Sequence, residues 1–387
     1  MTRHQFPRMR RELFRTNTVP ALHQGDPVEP EGASVDDVAR PVSSRKCTDD
    51  DARRGSSRSA SLPPPLDRLI PPRWAGDYER FSGGVARTVG KRIRALAVPD
   101  AEHALALAEA GGKRLRPALA YLTAHLGYPD QPRLIAAAST VELLHLASLM
   151  HDDVIDDAGT RRGQAAAHVT LGAERALLVG TGCFAAAAKL ASELGNRINR
   201  LICDGVIDLA YGEVLDVERS FQLDLPIEDY LKVMRRKTGT LFALPCVLGG
   251  VVARLSPVRL RALSRFGEHA GIAFQIADDC RDLTVTDGAK PAGTDHARGL
   301  FGYPTLCALR NSPTDELQHL LTRLNPQPSA PEELRGHVRA ASGFEHARDA
   351  AHTHLNRARK QLGECPNGEA VAALHAFTEW IDARVPA

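Results

Sequence analysis

The sequence predicts an all-α protein, a bundle of packed helices. From about Asp77 onward, apolar residues recur at helical spacing in long runs. The breaks between these runs carry glycine and proline, as in Gly127-Tyr128-Pro129. No alternation of apolar and polar residues is long enough for the strands of a sheet. Two aspartate-rich motifs fall within the helical runs, and we expect them on facing helices around a central cavity.

Two regions of different composition divide the chain of 387 residues. Residues 1–65 are rich in arginine, proline and serine and lack apolar periodicity, so we predict a disordered extension. The arginines near its start also suit a transit peptide or an arm on a membrane surface, although no secretory apolar segment follows them. Residues 66–387 are predicted to form one helical domain, with its clearest helices at 116–126, 134–156, 175–194, 200–219, 227–253, 257–283 and 334–362.

The composition favours a protein with a large core and gives no reason to expect nucleic acid as a partner or a transmembrane segment. A hydrophobic content of 43% suffices for a large core, and a net charge of +2 gives no reason to expect nucleic acid as a partner. Seven cysteines are scattered without CxxC spacing, which is typical of reduced thiols in a cytoplasmic protein. No run has the length and apolar character of a membrane helix, so we predict no transmembrane segment.

A basic motif lies at residues 111–117 (GGKRLRP). Lys113 and Arg116 are three residues apart and share a helix face. Fixed cations recognise phosphate, arginine grips two oxygens at once, and glycine lets a ligand approach the backbone. A second basic group, Arg161-Arg162, follows the first acidic motif. The simpler alternative for residues 111–117 is an exposed, charged start of a helix.

The first acidic motif is the run 151–157 (HDDVIDD), which ends an apolar stretch. Asp152 and Asp156 are four residues apart and share a helix face, with Asp153 nearby. Buried carboxylates on one face repel one another, and a divalent cation removes that cost. Oxygen ligands favour Mg²⁺, with Mn²⁺ as a substitute. His145 lies about two turns before Asp152 on roughly the same face, where it is either a binding group or a core histidine.

The second acidic motif, at residues 278–282 (DDCRD), repeats this spacing after another apolar stretch. Asp278 and Asp282 therefore share a face as well. A single motif of this kind is equally well explained as a solvated helix end, whereas two copies in apolar runs indicate a metal site. Across a cavity, the two motifs would hold a diphosphate between them through shared magnesium ions.

These motifs resemble those of the trans-isoprenyl diphosphate synthases of the polyprenyl synthetase family in identity, order and spacing. The resemblance rests on GGKRLRP, on the segment 142–163 (ELLHLASLMHDDVIDDAGTRRG), on Lys237-Thr238 and on the segment 271–282 (GIAFQIADDCRD). It covers the chain from about Gly111 to about Leu309. It implies a helical bundle of the isoprenoid synthase type, and a prenyltransferase whose sequence is similar to geranylgeranyl and long-chain polyprenyl diphosphate synthases.

The resemblance also implies roles for individual residues. The magnesium ligands would be Asp152, Asp156, Asp278 and Asp282, and the catalytic set would include Asp152, Asp153, Asp156, Asp278, Asp279 and Lys237. The diphosphate of isopentenyl diphosphate would be bound by Lys113, Arg116, His145 and Arg162. The allylic diphosphate would be bound by Arg161, Lys237, Thr238, Gln275 and Lys290. The implied reaction is a head-to-tail condensation in which the allylic diphosphate ionises and isopentenyl diphosphate attacks the resulting cation.

Three positions and one short segment, 302–306 (GYPTL), depart from the family pattern. Thr181 stands where an aspartate is expected, Glu213 where a glutamine is usual, and Leu300 where a basic residue is frequent. None of them is a predicted magnesium ligand, so we expect activity. Together they would lower it or mark a subunit that needs a partner.

Product length is predicted from two small side chains. Ala147 and Ser148 lie about one turn before Asp152, where they leave room for a growing chain. We expect geranylgeranyl diphosphate or a longer product, unless Phe184 or deeper residues close the tunnel. A long product is a lipid, which is compatible with peripheral membrane contact. Family resemblance favours a homodimer.

Other functions fit the motifs less well. A class I terpene cyclase uses a similar aspartate-rich helix, but this chain has a second DDxxD motif and GGKRLRP for a second diphosphate. A metal phosphohydrolase built on His151 and Asp152 leaves the second acidic motif and the basic motif unexplained. A regulatory subunit of a heteromeric synthase would be expected to lose an acidic motif, whereas both are present.

Overall fold

The computed structural model describes residues 62–284, 295–322 and 330–386, and within them the chain is almost entirely helical. The α-helices are α1 Leu66–Leu69, α2 Ala75–Arg94, α3 Ala101–Glu109, α4 Leu115–Ala124, α5 Gln131–Ile155, α6 Ala167–Leu171, α7 Ala173–Glu193, α8 Asn196–Glu218, α9 Ile227–Met234, α10 Thr240–Val252, α11 Pro257–Thr284, α12 Tyr303–Asn311, α13 Asp315–Thr322, α14 Ala330–Ala340, α15 Gly343–Gln361 and α16 Glu369–Asp382. The two short strands are β1 Thr160–Arg161 and β2 Gln164–Ala165. The prediction of an all-α fold is confirmed.

Helix α5 lies at the centre of the bundle. It packs against α2, α4, α7 and α10, and residues 137–147 are almost wholly buried. The carboxylate of Asp130 caps its start by accepting the N–H of Arg133 at 3.1 Å. Ser139 and Thr140 are buried in it without cost, because each hydroxyl donates to a backbone carbonyl within the helix. The helix ends at the first acidic motif.

Helix α11 carries the second acidic motif and packs closely against α10. A Cβ at Gly267 would lie 2.5 Å from the carbonyl oxygen of Phe242, and a Cβ at Gly271 would lie 2.9 Å from the Cα of Gly239. Only glycine allows two helix backbones to approach so closely. Since α10 also packs against α5, one helix contacts both of the helices that bear the aspartates.

Two of the predicted helices differ from those observed. The predicted helix 227–253 contains a π-helical turn, Arg235–Gly239, between α9 and α10. The prediction of a single helix over 334–362 is wrong, because α14 ends at Ala340 and α15 begins at Gly343. Ser342 has φ 55°, and a Cβ at Gly343 would collide with the carbonyl oxygen of Pro304, so the chain turns here to pass α12.

Two helices in the described part of the chain, α5 and α7, are long and apolar enough to cross a membrane by length and composition. In α5, 61% of the most apolar window is buried inside the bundle, and in α7 the share is 50%. The central position of α5 explains its composition as that of a core helix.

The predicted extension, residues 1–65, lies outside the described residues as far as position 61. The described chain begins at Leu62, whose side chain is buried, and α1 packs against α4 and α16.

Candidate active site

The first acidic motif closes helix α5. Asp152 lies in the last turn, Asp156 caps the helix, and the side chain of Asp153 is buried. The N–H of Asp156 donates to the carbonyl of Asp152 at 2.7 Å, so the helical geometry continues through the motif. The end of a helix where the carbonyls point carries the negative pole of its dipole. Carboxylates placed there are unfavourable unless a cation compensates them.

Burial makes the charge on two of these carboxylates costly. It raises the pKa of Asp152 to about 8 and raises the pKa of Asp156, and the nearby Lys237 opposes both shifts without cancelling them. Asp153 already has a counterion, because Nε of Arg161 donates to its Oδ1 at 2.6 Å. Asp152 and Asp156 are therefore the carboxylates that a divalent cation would stabilise, and their oxygens suit magnesium.

A short hairpin after α5 places the second basic group. Its turn residues, Arg162 and Gly163, have φ of 51° and 76°, as in a two-residue hairpin turn. Arg161 reaches back to Asp153, while Nη1 of Arg162 donates to the carbonyl of Leu107 at 2.8 Å. The hairpin thus holds one arginine against the acidic motif and the other against the end of α3.

A small cavity is bounded by α5 and by Arg162 of the hairpin. Its polar lining consists of Arg114, Glu142, His145 and Arg162. Nη1 of Arg114 donates to Oε2 of Glu142 at 2.9 Å, so one acid compensates one of the arginines. Burial, together with nearby arginines, holds the pKa of His145 well below its usual range, and its ring is therefore neutral.

Two buried nitrogen atoms in this region lack a hydrogen-bond partner among the described residues. They are Nδ1 of His145 and Nε of Arg116. Burial lowers the pKa of Arg116 to about 10, which leaves its guanidinium charged at neutral pH. Buried polar atoms are rarely unsatisfied in folded proteins. A bound anion rich in oxygen would satisfy both.

The glycine-containing loop before α4 brings the backbone close to these cations. Gly111 and Gly112 have φ of 81° and 149°, and Arg114 also has a positive φ. A Cβ at Gly112 would lie 3.4 Å from the guanidinium of Arg162. The loop leaves room for a ligand at this point because it carries no side chain there.

Aromatic rings support the cations of the basic motif. Nζ of Lys113 lies 6.0 Å and 5.8 Å from the ring centroids of Phe274 and Trp380, and Cζ of Arg116 lies 5.6 Å from that of Phe242. Such cation–π contacts hold a charged group in place. A ring face carries no net charge, so both cations keep their charge for an anion.

The π-helical turn between α9 and α10 carries Lys237 and Thr238. Nζ of Lys237 lies 2.7 Å from Oε2 of Glu213 and 2.7 Å from Oδ2 of Asp216, both on α8. These carboxylates, together with Asp152, raise the pKa of Lys237 well above its usual range, so the lysine is charged. The residue that departs from the family pattern, Glu213, is thus a direct partner of this lysine.

Asp279, in the second acidic motif, is the acceptor of a dense hydrogen-bond network. Tyr230 donates to its Oδ2 at 2.5 Å, the N–H of Tyr303 donates to the same oxygen at 2.8 Å, and Nε2 of Gln275 donates to its Oδ1 at 3.0 Å. Burial raises the pKa of Asp279 to about 6 against these donors. Gln275 also accepts from Thr238 at 3.0 Å, which joins the network to the π-helical turn.

The other two carboxylates of the second motif also have cationic or polar neighbours. Oδ1 of Asp278 accepts from Nη2 of Arg384 at 2.5 Å, although 106 residues separate them in the chain. Oδ2 of Asp282 lies 3.7 Å from Nδ1 of His296, in the segment that follows α11. Two of the three carboxylates of the second motif, Asp278 and Asp279, are therefore already bonded to protein groups.

The structure places most of the predicted residues in two connected groups. Lys237, Arg161 and Arg116 lie within electrostatic reach of Asp152, and His145 lies among the arginines. Thr238, Gln275 and Asp279 form one chain of hydrogen bonds. Lys290 lies outside the described residues.

Sequence reasoning missed several residues of this site: Tyr230, Asp216, Arg298 and Arg384. Arg298 lies near Asp156 and opposes the rise in its pKa. Only Asp216 had a signal in the sequence, because it lies three residues after Glu213 on one helix face. The others reach the motifs through contacts between distant parts of the chain.

Among the described residues, no group of three or more Asp, Glu, His or Cys side chains comes close enough to form a complete metal site. The donor chemistry of Asp152 and Asp156 fits a divalent cation. The remaining ligands would have to come from a bound diphosphate or from water, as is usual for magnesium.

Comparison with known proteins identifies the family. The family model described as polyprenyl synthetase matches residues 101–340. The chain is 36% identical over 282 residues to nonaprenyl diphosphate synthase of Mycobacterium tuberculosis, a match that covers 71% of this chain and 84% of the relative. It is 32% identical over 291 residues to component 2 of heptaprenyl diphosphate synthase of Geobacillus stearothermophilus, covering 74% and 90%.

A similar solved structure is the polyprenyl synthase of Caulobacter crescentus, which was crystallised with calcium and isoprenyl diphosphate. The TM-score is 0.76 at 30% identity, and the match covers 83% of this chain and 98% of that one. The reaction of this class is the head-to-tail condensation of isopentenyl diphosphate with an allylic diphosphate, which makes the chain a prenyltransferase. The chain belongs to the polyprenyl synthetase family, and it is a trans-prenyl diphosphate synthase.

Proposed function

We propose that this enzyme works with Mg²⁺, which Mn²⁺ can replace, bound by Asp152 and Asp156 on one side and by Asp278 and Asp282 on the other. The observation that carries this proposal is the first motif. Burial raises the pKa of two of its carboxylates, and they lie at the negative end of a helix within electrostatic reach of Lys237 and Arg161. In a bound magnesium diphosphate, the magnesium would compensate the carboxylates and the diphosphate oxygens would accept hydrogen bonds from the cationic side chains.

We assign Lys113, Arg116, His145 and Arg162 to the diphosphate of isopentenyl diphosphate. The unsatisfied nitrogens of His145 and Arg116 support this assignment, and Arg162 lies next to His145. We assign the allylic diphosphate to Arg161, Lys237, Thr238, Gln275 and Lys290. Lys237 and Arg161 both act electrostatically on Asp152, which fits a diphosphate bound next to the first motif.

The side chains have distinct tasks in the proposed reaction. When bound, Mg²⁺ neutralises the diphosphate as the allylic C–O bond breaks. Lys237 and Arg161 hold the departing diphosphate, while Lys113, Arg116 and Arg162 orient isopentenyl diphosphate so that its double bond meets the allylic carbon. A C–C bond forms, and the proton lost from the isopentenyl unit passes to the released diphosphate. Asp153 and Asp279, which are bonded to protein groups, position their motifs.

We propose a product of geranylgeranyl length or longer. Ser148 is half-buried on the same helix face as Asp152, whereas Ala147 is fully buried beside α7. The ring of Phe184 on α7 lies against His151, with 5.3 Å between the ring centroids, next to the first motif. The relatives named as heptaprenyl and nonaprenyl diphosphate synthases favour the longer end of this range.

Exchange of Ala147 for phenylalanine should shorten the main product by at least one five-carbon unit. The added ring has no space on the buried face and must turn towards the path of the growing chain. Mass spectrometry of dephosphorylated products measures the change. Ala137→Phe, two to three turns earlier in the same helix, is the control for general overpacking. An unchanged product in the Ala147→Phe variant would place the end of the tunnel elsewhere.

We propose that the enzyme is a homodimer in the cytoplasm. Leu178 on α7 and Ile207, Tyr211 and Val214 on α8 are large apolar side chains that are between 47% and 65% exposed, and a second copy would cover them. The six cysteines in the described residues are all free thiols, which suits a reducing compartment. Light scattering on the purified chain tests the assembly, and Ile207→Glu should yield monomers.

A second candidate is a catalytic component of a heteromeric synthase. The relative named component 2 of heptaprenyl diphosphate synthase favours it, and so does Glu213, which takes part of the charge of Lys237. On this alternative, the purified chain alone would be inactive although it binds both substrates.

The deciding experiment is a product assay on the purified chain. It combines isopentenyl diphosphate with dimethylallyl, geranyl, farnesyl or geranylgeranyl diphosphate, with and without Mg²⁺, and sizes the products by mass spectrometry. A magnesium-dependent ladder in five-carbon steps is expected. Cyclised hydrocarbon would instead indicate a terpene cyclase, and release of phosphate without isopentenyl diphosphate would indicate a phosphohydrolase. Absence of turnover would favour the heteromeric component.

A further inference from the structure

Arg384 donates a hydrogen bond to Oδ1 of Asp278, an oxygen atom that the second acidic motif would need as a metal ligand. It lies just after α16, and its Nη2 is 2.5 Å from Oδ1 of Asp278. Its side chain is 15% exposed, against 36% for Asp278, so the pair is partly shielded from water. A guanidinium and a divalent cation cannot both take this carboxylate oxygen at close range. The contact must therefore open before Asp278 can bind a metal.

The guanidinium has a second point of support that does not depend on Asp278. Its Cζ lies 5.0 Å from the ring centroid of Trp380 and 5.2 Å from that of Phe274, and the two rings are stacked. Lys113 lies over the same two rings. When Asp278 is taken by another cation, Arg384 can remain on this aromatic pair, where the proposed isopentenyl diphosphate site begins. Its Nε has no hydrogen-bond partner among the described residues.

We propose that Arg384 is an exchangeable counterion of the second motif, an inference that rests on the proposed metal site. In the metal-free enzyme it holds Asp278. When magnesium and diphosphate enter, Asp278 turns to the metal, and Arg384 stays on the Phe274–Trp380 pair and turns its freed guanidinium nitrogen to the diphosphate beside Lys113. A single side chain then couples metal binding at one motif to substrate binding at the basic motif.

This exchange predicts the order in which the two motifs bind metal ions. The first motif offers carboxylates whose charge is uncompensated, whereas the second has to give up an ion pair. We therefore expect the first motif to take a cation without substrate, and the second to take one only with diphosphate or at higher metal concentration. Arg384 is a positioning residue in this scheme until it reaches the diphosphate.

The test measures Mn²⁺ binding to the full chain without substrate, with electron paramagnetic resonance as the readout. Arg384→Gln should tighten the weaker class of sites about three- to ten-fold, because the competing partly exposed ion pair is gone. Arg384→Lys should restore most of the original affinity. The matched control is Arg359→Gln. Arg359 lies on α15 and bonds Thr378 and Asp382, which both lie on α16, and it does not contact Asp278.

Tryptophan fluorescence gives a second readout that does not depend on affinity. The chain has two tryptophans, so Trp74→Phe leaves Trp380 as the sole reporter beneath Arg384. Mg²⁺ with inorganic pyrophosphate should shift its emission, and Arg384→Gln should abolish the shift. Asp278→Asn should produce the shift without metal, because it releases the arginine.

The outcomes separate this inference from the proposed function. Unchanged or weaker Mn²⁺ binding in Arg384→Gln, or an equal gain in Arg359→Gln, would overturn the exchange and leave the metal site intact. Failure of the unaltered chain to bind any Mn²⁺, with or without pyrophosphate, would overturn the metal site and the exchange together.

Discussion

The two acidic motifs share one spacing pattern but not one environment. In the first, burial raises the pKa of Asp152 and Asp156, and only Asp153 is directly bonded to an arginine. In the second, Asp278 is bonded to Arg384 and Asp279 accepts from three donors. Identical sequence patterns therefore carry different electrostatic states. In the first motif burial disfavours the charged form of two carboxyl groups, whereas in the second Asp278 and Asp279 are bonded to protein groups.

This difference predicts that a substitution in the first motif lowers activity strongly without lowering the stability of the metal-free protein. Asp152→Asn should lower kcat/KM about 10³-fold, because a proposed metal ligand is lost where charge develops in the transition state. The free energy of unfolding of the metal-free protein should stay equal or rise, because asparagine has no carboxyl group that ionises readily in the unfolded chain and resists ionisation when buried. Steady-state kinetics and thermal unfolding with EDTA measure the two effects. A clear loss of stability would show that Asp152 is already compensated in the metal-free protein.

In the second motif the larger effect should be on stability. Asp279→Ala removes the acceptor of Tyr230, Gln275 and the Tyr303 N–H, and it should lower the free energy of unfolding by about 2–3 kcal/mol. The control is the neighbouring Asp278→Ala, which breaks a partly exposed ion pair and should cost about 1 kcal/mol or less. Urea denaturation of the metal-free variants compares them. Equal losses would contradict a special structural role for Asp279.

Dependence on pH offers a finer comparison. The folded pKa of Asp152 is about 8, above its unfolded value of about 4, so the folded state binds a proton that the unfolded state has lost. The resulting stabilisation is complete below about pH 4 and is lost as the pH rises through about 8. With EDTA present, Asp152→Asn should therefore gain stability relative to the unaltered chain between pH 4 and 8. Chemical denaturation at several pH values measures this gain, and saturating Mg²⁺ should reduce it. A difference that stays constant with pH would mean that Asp152 is ionised throughout.

The smallest expected effect concerns the balance of charge at Lys237. Glu213→Gln removes one of its two carboxylate partners and should lower KM for the allylic substrate about two- to five-fold, because more of the lysine's charge reaches the diphosphate. Asp208→Asn is the matched control, since Asp208 pairs with the neighbouring Arg236. Initial rates at saturating isopentenyl diphosphate give the KM values. A higher KM in Glu213→Gln would show that Glu213 orients the lysine instead of competing for it.

The local parts of this site could be predicted from the sequence because they depend on helix geometry. The four-residue spacing of Asp152 and Asp156 determines a shared helix face before any tertiary contact forms. The prediction that Lys113 and Arg116 share a helix face is wrong, because Arg114 has φ 49° and the helix begins only at Leu115. The compensation of the second motif could not be predicted in this way. Arg384 lies 106 residues from its partner, and no spacing rule connects positions so far apart.

The fold shows the same division between local and distant information. Helical periodicity predicted the helix that carries the first motif, and the observed bounds differ from the prediction by three residues at the start and one at the end. The break at Ser342 was missed because apolar periodicity continues across it. It arises from the need to pass the carbonyl of Pro304, which is a contact with another helix.

The π-helical turn Arg235–Gly239 has a consequence for how this site arose and how it can be altered. Its backbone bond runs from the N–H of Thr240 to the carbonyl of Arg235, so the turn holds one residue more than an α-helical turn. Such a turn is equivalent to a single-residue insertion in an ancestral helix. Deletion of one residue here would restore an ordinary helix, leave α10 continuous, and rotate Lys237 by about 100° away from Asp152. A change of one residue in length thus decides whether this helix places Lys237 next to the first acidic motif.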